Sequence, residues 1–185
     1  MDPVPPHPAA TVVLLAESRP FSVLMVKRPP GGLFGEAWVF PGGLVDKADG
    51  QGEASYRRAA VRELAEEVAV VLDPKELVYL SRWITPEVVP RRYDTWFFLA
   101  LIDEAVAVAP VTNEITEACF VSPATALAAY EAQQWKLVLP TLAHLRWLAR
   151  YPSAAAALKA APESRTPVEP LLAPDGSIVA LDLPW

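Results

Sequence analysis

The stretch Arg62-Glu63-Leu64-Ala65-Glu66-Glu67-Val68-Ala69-Val70 constrains this chain more than any other. On a helix turning about 100° per residue, Glu63, Glu66 and Glu67 fall on one side. Val61, Leu64, Ala65 and Val68 take the opposite side. The apolar side calls for a sheet to dock on. The acidic side sets like charges at i, i+3 and i+4, which weakens a helix by roughly a few tenths of a kcal/mol per pair. No Lys or Arg in the next turn relieves them. A solvated acidic face is the plainest account of this pattern. The alternative is a hard divalent cation, which takes oxygen ligands and meets one or two carboxylates plus substrate phosphates.

The flanking sequence supplies the sheet. Thr11–Glu17 and Ser22–Arg28 are β-branched and apolar runs that read as a hairpin across Ser18-Arg19-Pro20-Phe21. Pro29-Pro30-Gly31-Gly32 opens a loop, and Ala37–Phe40 is a short strand running into Pro41-Gly42-Gly43. The segment 44–53 is turn-rich. The acidic helix is expected from Ala54 or Ser55 to about Val70, with Asp73-Pro74 enforcing a stop. Leu77–Ile84, Tyr93–Ile102 and Ile115–Val121 read as further strands. Ser122-Pro123 is an N-cap with proline at the first helical position, opening a helix to about Ala132. Another helix starts at Pro140, with Leu142, Leu145, Trp147 and Leu148 on its core side. Ser177–Leu183, after an Asp175-Gly176 turn, reads as an edge strand. Strands, one central helix, more strands and then helices indicate a mixed α/β or α+β sandwich.

A chain of 185 residues suits one domain with a sizeable core. We expect a Pro-rich arm over 1–9, a domain over 10–151 and a C-terminal extension over 152–185 packed on it. The longest apolar runs are Thr11–Ala16 and Trp96–Ile102, far short of a membrane span. The start of the chain lacks a basic residue before an apolar core, so no secretory signal is expected. The single cysteine, Cys119, rules out an internal disulfide. A net charge of -6 argues against general nucleic-acid binding. A cytoplasmic protein is the resulting expectation.

Phe40-Pro41-Gly42-Gly43, joined by a loop to Arg62-Glu63-Leu64-x-Glu66-Glu67-x-x-Val70, resembles the signature of the Nudix hydrolase superfamily. Three departures stand out. Gly43 and Arg62 are five residues further apart than in the standard signature, Ala54 replaces its first Glu with Glu53 one residue away, and Ala69 replaces its last Gly. The stretched segment is similar to the branch that includes the mammalian peroxisomal acyl-coenzyme A diphosphatase and its bacterial relatives. Trp83-Ile84-Thr85-Pro86-Glu87 and Pro90 to Phe98 resemble that branch too, as do Asn113-Glu114 through Pro123 and Leu139-Pro140-Thr141.

The resemblance implies an α/β/α sandwich with a central mixed sheet and a catalytic helix. It also implies metal-dependent cleavage of a diphosphate linked to another moiety. Carried onto this sequence, Glu63 and Glu67 are the principal ligands of Mg²⁺ or Mn²⁺, Glu66 a third ligand or a water-orienting residue, and the Gly43 carbonyl a further ligand. Arg62 pairs with a box carboxylate. Glu114 is favoured over Glu117 as an additional acid from a later loop. Arg28, Arg91 and Arg92, together with Lys27, are candidates for neutralising substrate phosphates. Asp46 and Asp49 match the branch's spaced aspartates or shape the loop. Trp83, Tyr93 and Trp96 are candidates for stacking a base or for core packing. His7 and His144 show no partner pattern, and Cys119 reads as a small buried hydrophobe. Coenzyme A or an acyl-CoA is the leading substrate expectation. ADP-ribose, NADH or another nucleoside diphosphate is the alternative, and a non-catalytic nucleotide sensor is the second. Dimers are common among such relatives, so a homodimer is an expectation of the same kind.

Overall fold

The structure is a computed structural model that describes residues 4–32, 34–173 and 177–185. Its spine is β1 (His7–Ala16), whose Thr11–Ala16 run is buried on both faces of the sheet except at Thr11. β1 runs parallel to β6 (Tyr93–Ile102) over ten register pairs, from His7↔Tyr93 to Ala16↔Ile102. β5 (Val78–Ile84) pairs antiparallel with β6 on the outer side. On its other side β1 meets β2 (Ser22–Lys27) for only two pairs, Leu15↔Val23 and Ala16↔Ser22.

Beyond those pairs the hairpin parts. β2 continues with β3 (Ala37–Val39) and β7 (Glu117–Val121), while β4 (Gly42–Leu44) pairs with β1 at Ala9–Thr11. β8 (Lys136–Leu137) lies parallel to β3 and completes, among the described residues, an eight-stranded mixed sheet. The split therefore sits at the end of the sheet where β1 begins.

Helices cover both faces, as the sandwich expectation required. α1 (Glu53–Val68) presses Ala59, Ala60, Leu64 and Val68 onto Ala10, Val12, Leu14, Val26 and Phe98. On the opposite face, α2 (Pro123–Glu131), α3 (Leu139–Leu148) and α4 (Ala154–Lys159) pack against Val13, Leu15, Met25, Phe97 and Leu99. Alternation along β1 and β6 sends neighbouring side chains to opposite clusters. The Ser122 hydroxyl accepts from Thr125 N at 3.1 Å, capping α2 where the sequence placed its start.

Several boundaries differ from the sequence reading. The arm ends earlier than 1–9, because His7 to Ala9 join β1 once β6 and β4 offer partners on either side. α1 starts at Glu53 and ends at Val68, two residues short of Val70. The stop comes from Ala69, which itself takes the left-handed conformation (φ 59°, ψ 23°) at the position where glycine usually ends a helix. The strand expected over Ile115–Val121 begins at Glu117, leaving Ile115 buried in the preceding loop. In the tail, β10 (Ile178–Ala180) pairs, among the described residues, with β9 (Leu171–Leu172) alone, in a separate two-stranded sheet. It does not extend the main one. The Asp175-Gly176 turn lies outside the described residues. The edge of β5 is instead covered by Val168, which forms a parallel bridge with Trp83 and exchanges backbone hydrogen bonds with Arg82 and Ile84.

His144 is fully buried. Its Nδ1–H donates to Pro140 O at 2.6 Å, so Nε2 accepts from the Ser81 hydroxyl at 2.7 Å, and Ser81 Oγ accepts from Trp83 Nε1 at 3.1 Å. Burial pushes its pKa down to about 3. This chain of bonds is closed within the core and ties α3 to β5. No described helix is long and apolar enough to cross a membrane.

Candidate active site

α1 carries the acidic face to the place where the sheet splits. Glu63 and Glu67, four residues apart, face inwards against β4, while Glu66 points out with its side chain 54% exposed. Glu67 is 2% exposed. Its Oε2 accepts from Gly42 N at 3.1 Å and its Oε1 lies 3.2 Å from Arg28 Nη1. Burial pushes the Glu67 carboxyl up to about 8, with Glu63 and Glu114 adding to the rise and Arg28 and the Gly42 amide opposing it. Glu63 is also raised, first by burial and then by Glu66 and Glu114, against the pull of Arg62.

The third carboxylate comes from far along the chain. Glu114, in the loop between β6 and β7, offers an oxygen that lies with one each from Glu63 and Glu67 inside a 4.8 Å cluster. Two bonds seat this loop: Val111 N donates to Glu67 O at 2.9 Å and Thr116 N to Lys27 O at 2.8 Å. Glu117, the other candidate, pairs instead with Lys27 Nζ at 2.8 Å. Glu66 stands outside the trio, its Oε2 3.1 Å from Arg62 Nη1.

Gly43 matters for space. A Cβ there would come within 2.5 Å of the Glu63 carboxylate, so only glycine lets the β4 backbone lie directly against it. Arg62 fixes the approach from the helix side. It donates twice to Asp49 (3.2 and 3.0 Å), to Glu63 at 2.8 Å and to Leu44 O at 2.9 Å. Asp49 is 5% exposed. Burial works to raise its pKa, but the bonds from Arg62 and from the Asp46 amide outweigh it and hold the carboxyl below its usual range. Asp49 thus shapes the stretched loop. Asp46 stays exposed, 3.8 Å from Arg62 Nη2. The loop also carries a 3₁₀ turn at Lys47–Asp49. Glu53, one residue off the expected first acid, pairs with Arg57 at 3.1 Å and with Arg165 of the C-terminal extension at 3.3 Å.

The three arginines expected to meet phosphate have separate fates. Arg28 reaches the cluster, 3.2 Å from Glu67 and 4.0 Å from Glu114. Arg92 is turned to the backbone: it is 7% exposed and donates to Thr85 O and Val4 O, both at 2.9 Å, which ties the N-terminal segment to the β5–β6 loop. Its Nε–H and one Nη1–H are committed to these backbone acceptors. Arg91 is exposed and lies 5.5 Å from the centroid of the Tyr93 ring. Sequence reasoning missed the Arg28–Glu67 pair and the Gly42 amide bond. It also left Asp49 undecided, although Arg58 and Arg62, one turn apart and facing the spaced aspartates, carried that signal.

The model of the NUDIX domain matches residues 5–141. The Caenorhabditis elegans protein named "Putative nudix hydrolase 7" is 32% identical over 168 aligned positions, covering 71% of this chain and 56% of the relative. The chain thus spans little more than half the length of that relative. A NUDIX hydrolase from Alicyclobacillus acidocaldarius superposes with a TM-score of 0.75 at 21% identity, covering 84% of this chain and 96% of that one. The NUDIX domain of Shewanella oneidensis NrtR, solved with ADP ribose, superposes at 0.61 with 21% identity, covering 80% and 88%. Both share the fold.

Proposed function

The chain belongs to the NUDIX domain family, and from that premise we propose that it hydrolyses a diphosphate linked to a second moiety with a divalent cation held on α1. The observation that carries the proposal is the trio Glu63, Glu67 and Glu114, brought within 4.8 Å from one helix and one distant loop. The donor set suits Mg²⁺ or Mn²⁺: all oxygen, with two members pushed towards protonation by burial and mutual repulsion, which a cation would relieve. Glu63, Glu67 and Glu114 would hold the ion, with the Gly43 carbonyl and Glu66 as further donors. The chemistry such an ion supplies when bound is neutralisation of phosphoryl charge and acidification of water.

The protein's own groups do the positioning. Gly42 N–H orients Glu67, Arg62 clamps Glu63 to the loop through Asp49, and the β6–β7 loop delivers Glu114. Arg28, whose side chain is 32% exposed beside the cluster, is the cation best placed to take a substrate phosphate. For the second moiety, the stretched loop before α1 supports coenzyme A or an acyl-CoA as the first compound to test. ADP-ribose, which the Shewanella domain binds on a similar fold, is the second.

The test is product identification with Mg²⁺ or Mn²⁺ on coenzyme A, an acyl-CoA, ADP-ribose, NADH and diadenosine polyphosphates. Glu67→Gln is expected to lower turnover by at least about 100-fold while the protein stays folded, by analogy with the loss of one transition-state charge contact. Wild-type turnover in that variant removes the metal assignment. Failure of the wild type on every compound favours the nucleotide-sensor reading.

A further inference from the structure

Of the three aromatic residues that the sequence offered to a substrate base, the fold leaves one outside both core clusters. Trp83 is 4% exposed and bonded to Ser81. Trp96 stacks on Tyr56 at 4.7 Å, with the Arg82 guanidinium 5.7 Å from its centroid. Tyr93 is half-buried at the first position of β6, and its ring looks onto Phe34, 6.0 Å away and tilted by 43°. Neither ring belongs to the two core clusters. Phe34 is 37% exposed.

Phe34 is carried there by the connection between β2 and β3, whose described residues 29–32 leave β2 after Arg28 and 34–36 return into β3. The loop is held in shape. Glu36 N donates to Pro29 O, Ala37 N to Phe34 O, and Lys136 Nζ to Gly35 O at 3.1 Å. Gly31 and Gly32 take positive φ values of 95° and 68° that let it turn. β2 and β3 lie on one side of the split in the sheet and β6 lies on the other, so the Phe34–Tyr93 contact bridges the mouth of the split. Arg91 over the Tyr93 ring adds a cation to the same patch.

We propose that Phe34 and Tyr93 form a stacking clamp for the purine base of a nucleoside diphosphate whose phosphates lie at the carboxylate cluster. The location of the phosphates rests on the hydrolase reading above. The register places β6, β1 and β4 side by side, with Thr95, Ala9 and Leu44 in line. With strands about 4.8 Å apart and a rise of about 3.4 Å per residue, the Tyr93 backbone is roughly 14 Å from that of Gly43. An extended nucleoside diphosphate covers such a separation between base and terminal phosphate. Van der Waals stacking on both faces needs about 7 Å between the two rings, so the clamp admits a base by opening about 1 Å and turning Phe34 parallel to Tyr93. Because every base has a π-face, such a clamp favours aromatic moieties over base-free diphosphates.

The experiment is calorimetric titration of the full chain with AMP and with ribose 5-phosphate, for wild type, Phe34→Ala, Phe34→Trp and Tyr93→Leu, with thermal melts of each. AMP is expected to bind wild type at least about tenfold more tightly than ribose 5-phosphate, since one base stack is worth about 1–3 kcal/mol. Phe34→Ala and Tyr93→Leu abolish that preference without changing ribose 5-phosphate binding, and Phe34→Trp keeps it. A preference that survives both truncations overturns the clamp, as does the absence of any preference in wild type. The titration needs no turnover. An AMP preference lost in the variants of a protein that hydrolyses nothing would leave the clamp standing and sink the hydrolase reading. Hydrolysis with no AMP preference would do the reverse.

Discussion

Glu67 and His144 together predict an unusual pH profile for the stability of the metal-free protein. Glu67 titrates near 8 when folded against 4.5 for a free side chain, and His144 near 3 against 6.5. From pH 4.5 to 8 the folded Glu67 holds a proton that the unfolded chain has lost, so its contribution falls as pH rises. From pH 3 to 6.5 the unfolded His144 holds a proton that the folded one rejects, so its contribution rises with pH. One proton changes stability by about 1.36 kcal/mol per pH unit. Between 4.5 and 6.5 the slopes of Glu67 and His144 cancel, and Glu63, also raised by burial, tilts this stretch towards a decline with rising pH. From 6.5 to 8 the His144 contribution is complete and Glu67 costs about 2 kcal/mol. From 4.5 down to 3 His144 costs a similar amount, steepened by Asp49 and Glu53, whose lowered pKa values withdraw stability as they protonate. For a chain of this size about 2 kcal/mol is roughly 4–8 °C in Tm. Urea unfolding in EDTA from pH 3 to 8.5 measures the profile. Glu67→Gln is expected to remove the alkaline limb and keep the acid one, and saturating Mg²⁺ to flatten the alkaline limb of wild type. An alkaline decline of equal size in Glu67→Gln would refute the assignment of the strained charge to this carboxyl.

Three further outcomes follow from local geometry. Ala69→Gly is expected to stabilise by roughly 0.5–1 kcal/mol, because Ala69 is exposed and already sits in a left-handed conformation that costs an L-residue about 1–2 kcal/mol, offset in part by the glycine's greater unfolded entropy; thermal melts check it. Glu114→Gln is expected to weaken Mg²⁺ binding on the order of tenfold or more, whereas Glu117→Gln leaves it within twofold, as read by calorimetry. Arg92→Ala should destabilise by about 1–3 kcal/mol, by stranding the carbonyls of Thr85 and Val4, without changing KM for the substrate that the assay identifies.

Glu63 and Glu67 show why part of the site was legible in the chain itself. A spacing of four along a helix sets two side chains on one face wherever that helix docks, and the apolar stripe of Ala60, Leu64 and Val68 determines which face is inward. The strands read equally well, because β1 and β6 are buried on both sides and spell near-continuous apolar runs. The same periodicity could not tell Glu66 from Glu67. Both fit the acidic face, and only the position of β4 left one buried on Gly42 and the other free to meet Arg62.

Everything that depends on strand order was decided by the tertiary structure. β1 leaves its hairpin partner after two pairs and runs beside β6, eighty-six residues away in register, a choice that local pattern does not encode. That choice opens the split which Arg28 enters, brings Glu114 rather than Glu117 to the carboxylates, and buries Arg92. The sequence by itself determined the helix, its paired carboxylates and the order along the chain of strands and helices that makes a sandwich, since each follows from neighbours within a turn or a strand. The third carboxylate, the arginine beside the cluster and Phe34 at its mouth lie on loops, and Tyr93 opens a strand that faces them across the split. Their positions are set by long-range pairing, and only the folded chain fixes them.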